Sequence, residues 1–173
     1  MLEWDRHLES WIVTHRVAAL DPLFRWLTDA GTMGAVWVAL GAAVALVLRR
    51  VRPLVLVVAA DVAAQLATDA IKAVVPRARP HVDALVAVPH SHSFPSGHAA
   101  SSVACAIVLA SLVPRLRPAL YLLAALIAFS RLYVGVHYPL DVLGGALLGV
   151  AMGWLSSLAL KKWLAGIDGD KSP

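Results

Sequence analysis

Three short clusters in this sequence carry side chains suited to work on a phosphate group. Pro95-Ser96-Gly97-His98 stands at the mouth of a long apolar run that begins at Ala99. Pro95 fits the first turn of a helix, where its missing N–H costs nothing. Ser96 and Gly97 would then leave free backbone N–H groups at the positive end of the helix dipole, an arrangement that binds anions, phosphate above all. His98 adds a group that gives or takes a proton near neutral pH. A second cluster holds Lys72 and Arg79-Pro80, separated by six residues. The third runs from Ser130-Arg131 across five residues to His137, then across three more to Asp141.

The chemistry of the clusters is complementary. Lys72, Arg79 and Arg131 supply three fixed positive charges, and arginine can hold a phosphate through two parallel hydrogen bonds. The Ser96 hydroxyl and the Gly97 backbone add neutral donors. Together they would cage a phosphoryl dianion and the charge spread over its equatorial oxygens during transfer. Asp141, four residues after His137, can accept a bond from one imidazole nitrogen and aim the other at phosphorus. His98 can protonate the leaving oxygen and later deprotonate a water. No step needs a metal or cofactor, because the cations take that role. Each residue also has an ordinary structural account. Arg131 and Lys72 could be snorkelling anchors, His137 an interfacial cap, and Asp141 a first-turn acid favoured by the dipole. Singly these accounts are as good; jointly, with both spacings, the site is the better one.

Positioning such a site falls to membrane helices. The 173 residues are 60% hydrophobic and only 15% charged, with a mean hydropathy of +0.73, against roughly 25% charge in a soluble domain. The charges are bunched between long uncharged runs. This predicts an all-α, polytopic transmembrane bundle forming a single domain over residues 1–173. The lone Cys105 excludes a disulfide framework or a cysteine metal site. The net charge of +4 is no nucleic-acid signal, since the basic residues fall in short loops that set orientation. The N-terminus, acidic and aromatic, does not read as a cleavable signal peptide.

Residues 1–29 mix Trp4, Trp11, Phe24 and Trp26 with charged side chains and predict one or two amphipathic interfacial helices, with a poorly apolar first span as the alternative. Five spans follow, each about 20 residues or somewhat fewer: 30–48, 53–71, 96–113, about 118–131, and 139–160. Asp61, Gln65, Asp69 and Lys72 fall on one face of the second at ~100° per residue. They read as a hydrogen-bonding seam leading to Lys72, with Asp69 close enough to pair with it. Gly145, Gly149 and Gly153 form a small-residue stripe on the last span. It allows packing within the bundle, the simpler choice, or against a second copy as a homodimer. Residues 166–173 read as a polar, disordered tail.

Five spans put Arg49, Arg50, Arg52, Arg115, Arg117, Lys161 and Lys162 on one side, cytoplasmic by the positive-inside rule. Lys72, Arg79, Ser96, His98, Arg131, His137 and Asp141 then meet at the opposite face. That convergence was not an input to the span assignment. His90 and His92 near His98 lack a nearby carboxylate beyond Asp83 and predict no metal site. With Arg77 and His81 they are expected to shape the mouth of the site and its headgroup pocket.

The segments KAVVPRARP (Lys72 to Pro80), PSGH (Pro95 to His98) and SRLYVGVHYPLD (Ser130 to Asp141) resemble the three signature motifs of the type 2 phosphatidic acid phosphatase superfamily, which includes vanadium-dependent haloperoxidases and bacterial acid phosphatases. Every motif position is filled. The resemblance implies a metal-independent phosphatase working through a phosphohistidine. His137 would be the nucleophile, Asp141 its orienting carboxylate and His98 the general acid, while Lys72, Arg79, Ser96, Gly97 and Arg131 would bind the phosphate. Membrane members usually have six spans, and the N-terminal region would be the counterpart of the first. The compact chain is similar to bacterial members, which implies an inner-membrane enzyme with an extracytoplasmic site. Its substrate would be an amphiphile: first a polyprenyl phosphate or diphosphate such as undecaprenyl diphosphate, alternatively phosphatidate or phosphatidylglycerophosphate. A lipid phosphotransferase and a non-enzymatic lipid-binding or transport protein are the rival readings.

Overall fold

Prolines and glycines punctuate a chain that is otherwise helical. The structure, a computed structural model, describes residues 2–169, with side chains through residue 158. Seven α-helices follow in order: α1 (Glu3–Thr14), α2 (Asp21–Ala30), α3 (Ala35–Leu48), α4 (Arg52–Val74), α5 (Gly97–Leu112), α6 (Arg117–Tyr133) and α7 (Pro139–Gly169). Pro22, Pro53 and Pro118 sit in the first turns of α2, α4 and α6, where the ring's fixed φ suits the helix. Pro76 ends α4 by disfavouring helical geometry in Val75, whose φ/ψ is −117/88.

α5 is the central helix. It packs against α4, α6 and α7, and Ala99, Ala100, Ala104, Cys105 and Ala106 along it are fully buried. Its small side chains let neighbouring backbones come close. α7 uses that surface: a Cβ on Gly145 or Gly149 would collide with the carbonyl oxygen of Ser96 or Ala100, and one on Gly153 would meet Ala104 at 3.0 Å. The glycine stripe is therefore consumed inside the bundle, by the backbone of α5. It does not form the homodimer surface offered as the other choice. Outward-facing Leu46, Val47, Leu66, Leu147 and Trp154 stay exposed, as lipid-facing side chains would.

The spans differ from the sequence reading in two places. α4, the stretch Pro114–Tyr133 and Pro139–Leu158 are long and apolar enough to cross a membrane. The expected span over 30–48 is instead the second arm of a pair, 18–30 and 32–48, bent by 64°. The break falls at Met33 and Gly34, with φ 51 and 65. By length and composition this makes three spans, or four if the bent pair counts as one. α5, at 16 residues, is about 24 Å long, short of the ~30 Å hydrocarbon layer. At the other end α7 runs past Lys161-Lys162 to Gly169, into the stretch expected to be a tail; residues 170–173 lie outside the described part.

The first N-terminal helix turns acidic side chains inward and apolar ones outward. On α1, Asp5 and Glu9 are buried while Trp4, Leu8 and Trp11 are exposed. Arg16, just after α1, donates from Nε to the Tyr133 carbonyl (2.7 Å) and from Nη1 to that of Asp83 (2.6 Å). These bonds tie the N-terminal segment to the end of α6 and to the loop between α4 and α5.

Candidate active site

Each catalytic candidate sits at a helix end, where the backbone fixes it. Ser96 is the N-cap of α5, with φ/ψ −75/114, so the helix starts at Gly97; Pro95 lies just outside it, after a cis peptide bond. The Ser96 N–H donates to the Asp141 carbonyl (2.9 Å), joining the start of α5 to the first turn of α7. Lys72 stands in the last turn of α4, Arg131 in the last turn of α6, and His137 in the linker before α7. Arg79 comes from the loop between α4 and α5.

Lys72, Arg79, Gly97, His98, Arg131 and His137 line one cavity of about 420 Å³. Thr32, Asp61 and Gln65 line it as well. Asp141 lies behind His137, fully buried. The eight predicted residues thus gather from four helices and two loops; Ser96 and Asp141 form the adjoining wall.

The bonds within the cluster assign the tautomer of His137. Its Nδ1–H donates to Asp141 Oδ2 (3.3 Å), and Oδ2 also accepts the Tyr138 N–H (2.9 Å). Nε2 accepts from Arg79 Nη1 (3.1 Å), so its lone pair faces the guanidinium and the cavity. Burial, aided by the charges of Arg131 and Arg79, pulls the His137 pKa down to about 4 against the support of Asp141. At neutral pH the ring is uncharged, with the lone pair on Nε2. Arg79 is fixed on its far side by the Ser91 carbonyl (2.9 Å from Nε) and the Val136 carbonyl (2.8 Å from Nη1); burial also lowers its pKa.

His98 donates from Nε2 to the Thr28 carbonyl (3.1 Å), with Thr32 Oγ1 at 3.4 Å. That leaves Nδ1 outside these two contacts. Arg131 donates from Nη1 to Thr28 Oγ1 (2.8 Å), which also meets Ser130 Oγ (2.9 Å). Ser96 Oγ and Arg131 Nε are buried with no hydrogen-bond partner. Buried donors are normally satisfied, so these two have hydrogen-bonding capacity to spare.

Several expectations need correction. Asp69 makes no ion pair with Lys72 among the described residues; ion pairs found there include Arg77–Asp5, Arg77–Asp141 and His137–Asp141. Asp61 does serve the expected seam, accepting from Ser101 Oγ on α5. Arg77 does not shape the mouth of the site: it stands behind it, bonded to Asp141 Oδ1 at 2.5 Å. His92 turns away and donates from Nδ1 to the Lys72 carbonyl (2.8 Å), fastening the loop to the end of α4. Sequence reasoning missed Thr28, whose oxygens hold both His98 and Arg131, and nothing in its local sequence distinguishes it from a surface threonine.

The PAP2 superfamily pattern matches residues 50–164, well over half of the chain. The chain belongs to the PAP2 superfamily. It is 46% identical over 125 residues to the decaprenylphosphoryl-5-phosphoribose phosphatase of Mycolicibacterium smegmatis, covering 70% of this chain and 68% of that one. It is 42% identical over 74 residues to the undecaprenyl-diphosphatase of Sulfolobus acidocaldarius, covering 42% of this chain and about a third (34%) of that one. The transmembrane PAP2-type phosphatidylglycerolphosphate phosphatase of Bacillus subtilis superposes with a TM-score of 0.77 and 26% identity, over 91% of this chain and 85% of that one. The protein is thus a multi-pass membrane phosphatase acting on lipid phosphates.

Proposed function

We propose that this PAP2 protein hydrolyses the terminal phosphate of a polyprenyl lipid through a phosphohistidine on His137, at the extracytoplasmic face of a bacterial inner membrane. The shared cavity carries the proposal: three cations, a helix N-terminus and an uncharged, Asp141-oriented imidazole converge on one space. In the first step the Nε2 lone pair of His137 attacks phosphorus. The bond to the leaving oxygen breaks as that oxygen takes a proton from Nδ1 of His98, which enters the step as the imidazolium because the bound phosphate dianion offsets the surrounding cations. A water then attacks the phosphohistidine and gives its proton back to His98, the P–N bond breaks, and inorganic phosphate leaves. Arg79, on Nε2 in the free site, shifts its donors to the incoming phosphate oxygens. Lys72, Arg131, Ser96 and the Gly97 N–H take the rest of the charge.

Arg52, Arg115 and Arg117 stand at the ends of α4, α5 and α6 away from the site, and such basic loops support the orientation. The similarity to the decaprenylphosphoryl-5-phosphoribose phosphatase and to the undecaprenyl-diphosphatase supports a polyprenyl substrate. The likeness to the phosphatidylglycerolphosphate phosphatase favours a second reading, a glycerophospholipid phosphate.

The test is phosphate release by purified protein in detergent with excess chelator, on polyprenyl diphosphate, a polyprenylphosphoryl pentose phosphate, phosphatidate and phosphatidylglycerophosphate. Chelator-resistant turnover favouring a polyprenyl substrate, lowered at least ~10³-fold by His137→Ala, is the expected result. Turnover that the chelator stops, or that the substitution spares, overturns the mechanism. Preference for a glycerophospholipid overturns the substrate.

A further inference from the structure

Asp141, the residue that aims His137, is itself held from behind. Its Oδ2 serves His137 and the Tyr138 N–H, while its Oδ1 takes Nη1 of Arg77 at 2.5 Å. Nη2 of the same guanidinium donates to Asp5 Oδ2 on α1. The other Asp5 oxygen accepts the Leu140 N–H (2.9 Å) in the first turn of α7, one residue before Asp141. Asp5 and Asp141 are both fully buried, and Arg77 stacks its guanidinium on the Tyr138 ring at 4.6 Å. None of these contacts enters the substrate cavity.

We infer that Asp5 and Arg77 are positioning residues for the histidine nucleophile: α1 docks its buried carboxylate on the start of α7, and Arg77 relays that anchor to Asp141. The inference rests on His137 and Asp141 forming the nucleophilic pair.

Two physical consequences follow. The planar guanidinium spans both carboxylates and fixes the plane of the Asp141 carboxylate, which keeps Oδ2 on Nδ1 of His137. The charges also balance. With Asp5 on its other side, Arg77 clamps Asp141 without cancelling the negative charge that supports His137 when the ring becomes positive on phosphorylation. A lone arginine would give the clamp at the expense of that support.

The charged groups facing this chain are few. His137 is met by Arg79 from the loop, Arg131 from α6 and Asp141 from α7; His98 of α5 and Lys72 of α4 share its cavity. Around Asp5 stand Arg77 and, one turn along α1, Glu9, whose burial pushes its carboxyl up to about 7. The diagnostic range therefore lies below pH 6, where Glu9 stays protonated.

The experiment is full-length protein in detergent, as wild type, Asp5→Asn, Arg77→Gln and Arg77→Lys. It reads kcat, KM, the acid limb of kcat/KM and thermal stability. A displaced nucleophile loses rate on the order of 10²-fold, so kcat should fall by about that factor with little change in KM. The acid limbs should move in opposite directions. Arg77→Gln leaves Asp141 unopposed, favours the protonated ring and moves the limb to higher pH. Asp5→Asn turns the whole arginine charge on Asp141 and moves it lower. Arg77→Lys keeps the charge without the planar bridge, so it should lose kcat while its limb stays near that of wild type; it carries the test if Asp5→Asn does not fold. A purely architectural role would lower thermal stability and leave kcat per folded molecule and the limb alone, and that result overturns the inference. Wild type that is active without forming a phosphohistidine defeats the underlying mechanism instead.

Discussion

At His137 one side chain has two faces with different duties. Nδ1 is committed to Asp141, and Nε2 meets Arg79 across the space where phosphorus must arrive. Burial dominates the ring's ionisation and holds its pKa near 4, below the usual value of ~6.5 for a histidine. With the neutral ring as the proposed nucleophile, activity should survive acidification well past pH 6. In kcat/KM on a soluble short-chain phosphate, the acid limb assigned to His137 should fall near pH 4, and an acid limb near 6.5 would contradict the burial argument. Stability shares the sign: with a folded pKa below the unfolded one, the neutral ring's contribution is complete above about pH 6.5 and is lost as pH falls through 4. The reactive residues were legible in sequence because their chemistry is sparse in an apolar chain. Lys72, Arg79, His98, Arg131 and His137 could be named from type and spacing alone. Thr28, Asp5 and the inward role of Arg77 could not, since each acts through a contact more than 60 positions away.

At the scale of elements, the site depends on how closely α5 and α7 approach. The Ser96 N–H reaches the Asp141 carbonyl only because Gly145 and Gly149 let the backbone of one helix lie on the other. Gly149→Val would drive a branched side chain into the Ala100 carbonyl. Overpacking of this kind costs about 1–3 kcal/mol. Gly149→Val should lower the midpoint of thermal unfolding by several degrees and reduce kcat through Asp141, whereas Leu147→Val on the exposed face of α7 should do neither. Unchanged stability in Gly149→Val would show the stripe to be loosely packed. The stripe was visible in sequence, but its partner was not: small residues announce a close approach without saying to what. The break at Met33–Gly34 was hidden for a related reason. An uncharged run reads as one span by hydropathy, and only the left-handed φ of those two residues divides it.

At the scale of the whole molecule, a phosphate cage opens among helices whose outer faces are apolar. That geometry suits an amphiphile with its charge in the cage and its chain in lipid. The N-terminal helices reach the cavity residues from the side, α2 directly through Thr28 and α1 through Asp5 by way of Arg77 and Asp141. Helical class and convergence of the motifs on one face were legible because hydropathy and loop charge encode them directly. The number of spans was less so, since α5 is buried by other helices and need not match the bilayer in length. The most direct measurement of the central claim is a rapid-quench search for the phosphoenzyme, using substrate labelled in the terminal phosphate. The account predicts an acid-labile, alkali-stable phosphoryl group that maps to His137, turns over with the kinetics of phosphate release, and builds up when His98→Ala slows its hydrolysis. Label on another residue, or full turnover with no phosphoenzyme at any quench time, would contradict it.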